Sequence, residues 1–193
     1  MSDAPFDPTG AVTFDLAAGR VSMKGSPARV LVPSEQLSAL CDAAGQDATR
    51  SLGRTMGEAM ARRALEALAG PDGSVGGVSI ESFVQHLAGE FALVGLGAVG
   101  MERWGRAMLL TVASPVAHDG LLRAVLEGAL ESTTKRTVRC TKLMQADGLS
   151  RFLIASPSTA EQVERQLGGG KAWAEILVEL HGAGSAAQRG GEA

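Results

Sequence analysis

The sequence predicts an α+β domain in which helices pack on one side of antiparallel strand hairpins. Three observations lead there. β-prone runs occur in pairs around tight-turn residues, at Trp104-Gly105 and at Asp147-Gly148. Long segments with apolar residues at helical spacing separate those pairs. The order of strands, helix pair, helix, strand pair, helix, strand pair and helix lacks the regular βαβ alternation of a doubly wound sheet.

The elements follow in chain order. Residues 1–10, "MSDAPFDPTG", are rich in Pro, Gly and Asp and predict a flexible arm before a single domain over 11–181. Val12, Phe14 and Leu16 alternate with polar residues at the period of a half-buried strand, and "ARVLVP" forms a second run ended by Pro33. Helical spacing runs from Ser34, the expected N-cap, to Leu68, with Gly45 as a break. A loop at 69–77 precedes a helix capped by Ser79, with Ile80, Phe83, Val84, Leu87 and Phe91 as its apolar stripe. Gly95 and Gly97 end that helix and lead into the first strand pair, which stops at Ser114-Pro115. Leu121, Leu122, Val125, Leu126 and Ala129 form the buried side of the next helix. Asp-Gly is a strong hairpin signal, so 136–157 reads as the second pair. Ser158-x-x-Glu161 has the spacing of a capping box. Gly168–Gly170 form a hinge, a short amphipathic helix follows, and 182–193 read as a disordered tail.

Composition narrows the function. The chain has 193 residues, 45% of them apolar, and a formal charge of −3, which suits one globular domain. Lys and Arg are scattered, so no nucleic-acid footprint is visible. No apolar run approaches the ~20 residues of a membrane span. The polar start has no basic region and no apolar core, unlike a signal peptide. Two distant cysteines suit a reducing compartment, and the expectation is a cytoplasmic protein.

"SLGRTMGEAMARRAL", "GLGAVGMERWGRAMLLTVASP", "HDGLLRAVLEGAL" and "RTVRCTKLMQADGLSRFLIASP", in that order, resemble the 4-vinyl reductase domain. That domain shares a superfamily with the TRAPP vesicle-tethering subunits and the haem-NO-binding domains. The resemblance covers roughly 34–157. It implies a bacterial protein whose helices and sheet can enclose an apolar cavity, and which pairs with itself or with a related subunit. Gly53 and Gly57, four residues apart, put two small residues on one helical stripe although each costs about 1 kcal/mol relative to Ala. Another backbone can approach there, and two sources stay open: a dimer partner, or an element of the same chain.

Chemical motifs are sparse. Members of the resembled family carry a cysteine pair near the second hairpin, proposed to bind a metal; here Cys140 stands there alone, and a zinc site needs about four ligands. Cys140 therefore reads as a small buried hydrophobe. The haem-binding relatives use a helical His with a Tyr-x-Ser-x-Arg motif. His86 is on a helix, but the chain has no Tyr. Ser114, His118 and Asp119 are too close in sequence for a triad, and Asp119 reads as a helix cap. "GLGAVG" fits G-x-G-x-x-G but follows a helix and precedes a strand, the reverse of the dinucleotide-binding context. Neither a catalytic residue, a metal site nor a cofactor is expected.

What remains is a set of adaptable apolar side chains. Met56, Met60, Phe83, Leu87 and Met108 are the candidate lining of a hydrophobic pocket. The expected function is a non-enzymatic binding module, a dimeric scaffold or regulator in a protein complex that senses a small hydrophobic ligand. The alternative is an accessory protein of tetrapyrrole or aromatic metabolism.

Overall fold

The computed structural model describes residues 6–23, 28–69, 78–105, 107–115 and 118–180. The tail at 182–193 and nearly all of the loop at 69–77 lie outside them. Three short strands come first: β1 (Val12–Asp15), β2 (Arg20–Met23) and β3 (Ala28–Arg29), antiparallel in that order. Then follow α1 (Ser34–Leu68), α2 (Ile80–Leu93), β4 (Ala98–Trp104), β5 (Ala107–Ala113), α3 (Asp119–Thr134), β6 (Arg139–Ala146), β7 (Leu149–Ala155) and α4 (Pro157–Gly168). A last helix, α5, spans 173–180.

The main sheet has the order β4-β5-β7-β6 and is antiparallel throughout. Alternation sends Val99, Leu110, Val112, Cys140 and Phe152 to one face, where they join a core with α1, α2 and α3. Leu109, Leu143 and Leu153 point the other way and pack with Val163 of α4 and Ile176 and Leu177 of α5. The architecture is α+β with antiparallel hairpins, as the pattern predicts. The three longer helices share one side, and the two short C-terminal helices add a layer on the opposite face. The signal for that layer is Leu109, Leu143 and Leu153 on the second sheet face, each worth roughly 1.5–3 kcal/mol when buried.

Local chemistry explains the boundaries. Gly45 adopts φ 83° and ψ 174° and splits α1 into two helical pieces. The Thr49 hydroxyl donates to the Cys41 carbonyl across the break at 3.0 Å. Ser79 caps α2 by accepting from the Ser82 amide at 3.0 Å. Asp147 and Gly148, both at positive φ, make the β6–β7 turn.

Three expected caps move by a residue or two. Pro33, not Ser34, precedes the first turn of α1, with no side-chain cap. Ser156, not Ser158, caps α4, because Pro157 fills the first helical position where its missing N–H is harmless. His118, not Asp119, caps α3: its Nδ1 accepts from the Gly120 amide at 3.1 Å, while Asp119 accepts from Lys142 at 2.5 Å.

The β1 alternation also behaves differently from expectation. Phe14 is 60% exposed and Leu16 89% exposed, because nothing in the described chain covers that side of the small sheet. Val30, Leu31 and Val32 lie past the end of β3 and are exposed too.

Candidate ligand-binding site

The crossing of α1 with α2 gathers four of the five candidate pocket residues. Met60, Phe83 and Leu87 are buried in one cluster, and Met56 packs against it half-buried. Met108 is not among them. It is half-buried near the β4–β5 turn, paired with Arg103, on the sheet face that also carries Leu110 and Val112.

Polar groups flank this apolar stripe. On α2, Phe83, Leu87 and Phe91 face the core, and His86 and Glu90 stand one flank over at i, i+4 spacing. His86 is only 6% exposed. Its Nδ1–H donates to the Ser82 carbonyl at 3.1 Å, so in the neutral ring Nε2 carries the acceptor lone pair. Glu90 accepts from Arg63 of α1, with Nε at 2.8 Å, and the two side chains are 8% and 9% exposed. His86 was visible in the sequence as a helical histidine. Glu90 carries a weaker signal, a lone charge in the otherwise apolar end of "SFVQHLAGEFALVGLG".

Phe6 closes the outer side of this flank. Its ring meets the His86 ring edge to face, with centroids 6.2 Å apart and planes at 80°. It also lies against Gly89, where a Cβ would run into the ring.

Gly53 and Gly57 sit elsewhere, on the face of α1 that meets α3 of the same chain. A Cβ at Gly53 would lie 2.5 Å from the Ala124 Cβ. A Cβ at Gly57 would run into the Val125 carbonyl and lie 2.8 Å from the Ala129 nitrogen. Gly128 returns the relation, since a Cβ there would meet the Arg54 backbone.

Beside this crossing, a polar cleft of about 520 Å³ opens between α1, α3, α4 and the start of β6. Its floor is Glu127, a buried carboxylate that accepts from Arg50 and Arg139 at 3.4 Å and from the Cys140 amide at 3.2 Å. Arg123, also in the lining, pairs with Glu164 at 2.6 Å. Arg50 and Arg139 share the one Glu127 carboxylate, and the cleft's arginines hold the helices, sheet edge and α4 together. Burial, then the neighbouring Glu127 charge, push the Cys140 thiol far above its usual range, so it is not a nucleophile at neutral pH. Among the described residues no three His, Cys, Asp or Glu side chains are grouped to hold a metal. No described helix is long and apolar enough to cross a membrane. His118 Nε2 faces Asp42 at 3.3 Å, and the ring serves α3 rather than a triad.

No family model matches the sequence, and no curated protein does either. Among solved structures the fold has similar neighbours. One match is the crystal structure of the phenol-responsive sensory domain of the transcription activator PoxR with phenol. It has a TM-score of 0.62 at 14% identity and covers 82% of this chain and 90% of that one. The shared property is the fold.

Proposed function

We propose that this chain is a non-enzymatic sensory module that binds a small, largely apolar ligand at the α1–α2 crossing and reports its presence to a partner. The observation that carries the reading is the buried flank of His86, Glu90 and Arg63 beside an apolar layer of Met56, Met60, Phe83 and Leu87. A few placed polar groups against flexible apolar walls are what a small-molecule site needs. Methionines re-pack around a guest at modest cost. The PoxR domain named above responds to phenol, an aromatic ring with one hydroxyl. The same ligand class suits this site: the ring would displace Met side chains, and the hydroxyl would hydrogen-bond the His86 ring.

The partner is a second copy of the chain or a related subunit in a bacterial regulatory complex. Exposed Phe14, Leu16, Val30, Leu31 and Val32 beside β1–β3 support this, because soluble chains seldom leave such a run of apolar side chains uncovered.

A thermal-shift titration with phenol, catechol, toluene and hexanoate tests the ligand reading. Phenol and catechol should raise Tm in proportion to the logarithm of concentration. His86→Leu should remove the preference for phenol over toluene. If no compound shifts Tm at millimolar concentration, the ligand reading fails.

A further inference from the structure

We infer that Phe6 is a tethered occupant of the α2 flank, a built-in aromatic ring that a ligand must displace; this rests on the sensory reading above. Gly89 makes the seat. Without a side chain at that position the Phe6 ring lies directly on the helix backbone, and a methyl group would occupy the same space. The other contact is the His86 ring, met edge to face at 6.2 Å. An aromatic ligand placed against His86 would have to make the same kind of contact.

Among the described residues the hydrogen bonds of the segment are local, so the ring can leave without breaking them. The Thr9 amide donates to Asp7 Oδ1 at 2.8 Å, and the Ala11 amide donates to the Pro8 carbonyl at 3.0 Å. Both stay intact when Phe6 lifts. The turn they form leads straight into β1, so displacement of the ring pulls on the small sheet that bears the exposed apolar residues. A ring held on a short tether competes at high effective concentration. It lowers the apparent ligand affinity by the fraction of molecules in which the seat is free.

The test compares the intact chain with Phe6→Ala and Gly89→Ala. Phe6→Ala empties the seat. Gly89→Ala fills it with a methyl group and favours helix, so it evicts the ring without weakening α2. The first readout is carbethoxylation of His86 by diethylpyrocarbonate, followed by peptide mass spectrometry, with His118 as internal reference. Both variants should raise the His86 rate by roughly tenfold, as expected when one buried aromatic contact is lost, and leave His118 unchanged. The second readout is phenol binding by calorimetry, which Phe6→Ala should tighten by a similar factor. If neither variant exposes His86, the tethered-occupant inference is overturned. It is equally overturned if phenol binds the intact chain and Phe6→Ala leaves the affinity unchanged. If His86 becomes exposed but phenol binds no form, the removable cover stands and the phenol-type ligand reading falls.

Discussion

Arg63 and Glu90 form an ion pair across the α1–α2 crossing with both side chains less than a tenth exposed. Each charge loses its hydration on burial and only the other offsets that cost, so the pair locks the relative position of the two helices. Arg63→Met should cost about 3–5 kcal/mol, because it strands a buried carboxylate. The double change Arg63→Met with Glu90→Leu should recover most of that loss. Urea unfolding of the intact chain and the two variants measures it. A single-variant cost below about 1 kcal/mol would mean that water reaches Glu90.

The hairpins, the helix order and the Gly45 break were legible because period and turn chemistry are local. Asp147-Gly148 announces its turn whatever surrounds it. The second helical layer was not legible, because the strands carry apolar residues on both faces and sequence does not say which helix covers which face. The α3 cap was misplaced for a similar reason: a histidine can cap only when its ring turns back onto the helix start, and that is a rotamer, not a spacing. The seat of Phe6 was not legible because it is defined by the missing side chain of Gly89, far away in sequence. Gly53 and Gly57 announced a close approach, but their partners Ala124, Val125 and Ala129 are on a helix whose pairing no local pattern specifies.

On the opposite sheet face, Glu102 offers a pH-dependent probe. Hydrogen bonds from Arg151 at 3.0 and 3.1 Å, helped by the Trp104 indole at 3.3 Å, hold its carboxyl below the usual range against partial burial. A depressed folded pKa contributes stability that is present above the unfolded value and is lost as pH falls through the folded one. Arg151 also lies 6.0 Å from the Trp173 ring centroid, and Trp173 meets Trp104 edge to face at 5.0 Å. These are the only two tryptophans in the chain. Fluorescence during acid titration should therefore change as Glu102 takes up its proton. Arg151→Met should move that change upward, towards the ordinary carboxylate range. An unmoved midpoint would show that Arg151 does not control Glu102.

Cys140 predicts the alkaline limb. Burial raises its thiol pKa, so the folded chain keeps the proton at a pH where the unfolded chain releases it. The unfolded state then binds fewer protons, and stability declines above about pH 8.5. In Cys140→Ala this component of the slope should vanish, leaving that of the other titrating groups. Chemical unfolding between neutral and alkaline pH checks the difference. A thiol reagent should also modify Cys140 only on unfolding, and rapid native labelling would contradict the burial.

The α1–α3 crossing makes the sharpest contrast of sign. Gly57 and Gly168 are both helical glycines, and helix propensity alone says that Ala should stabilise each by up to about 1 kcal/mol. At Gly168 nothing lies within 4 Å of the added Cβ, so Gly168→Ala should raise Tm. At Gly57 the Cβ would run into the Val125 carbonyl, which cannot rotate aside as a side-chain tip could. The helices must separate, and Gly57→Ala should cost about 1–3 kcal/mol net of the propensity gain. Gly53→Ala should lie between them, since the obstructing atom is the Ala124 methyl group as well as the Leu121 carbonyl at 2.9 Å. Light scattering distinguishes this from a dimer-interface role. An internal contact predicts a lower melting temperature at unchanged molar mass. A Gly57→Ala chain that melts normally but halves its mass would move the close approach to the surface between two copies.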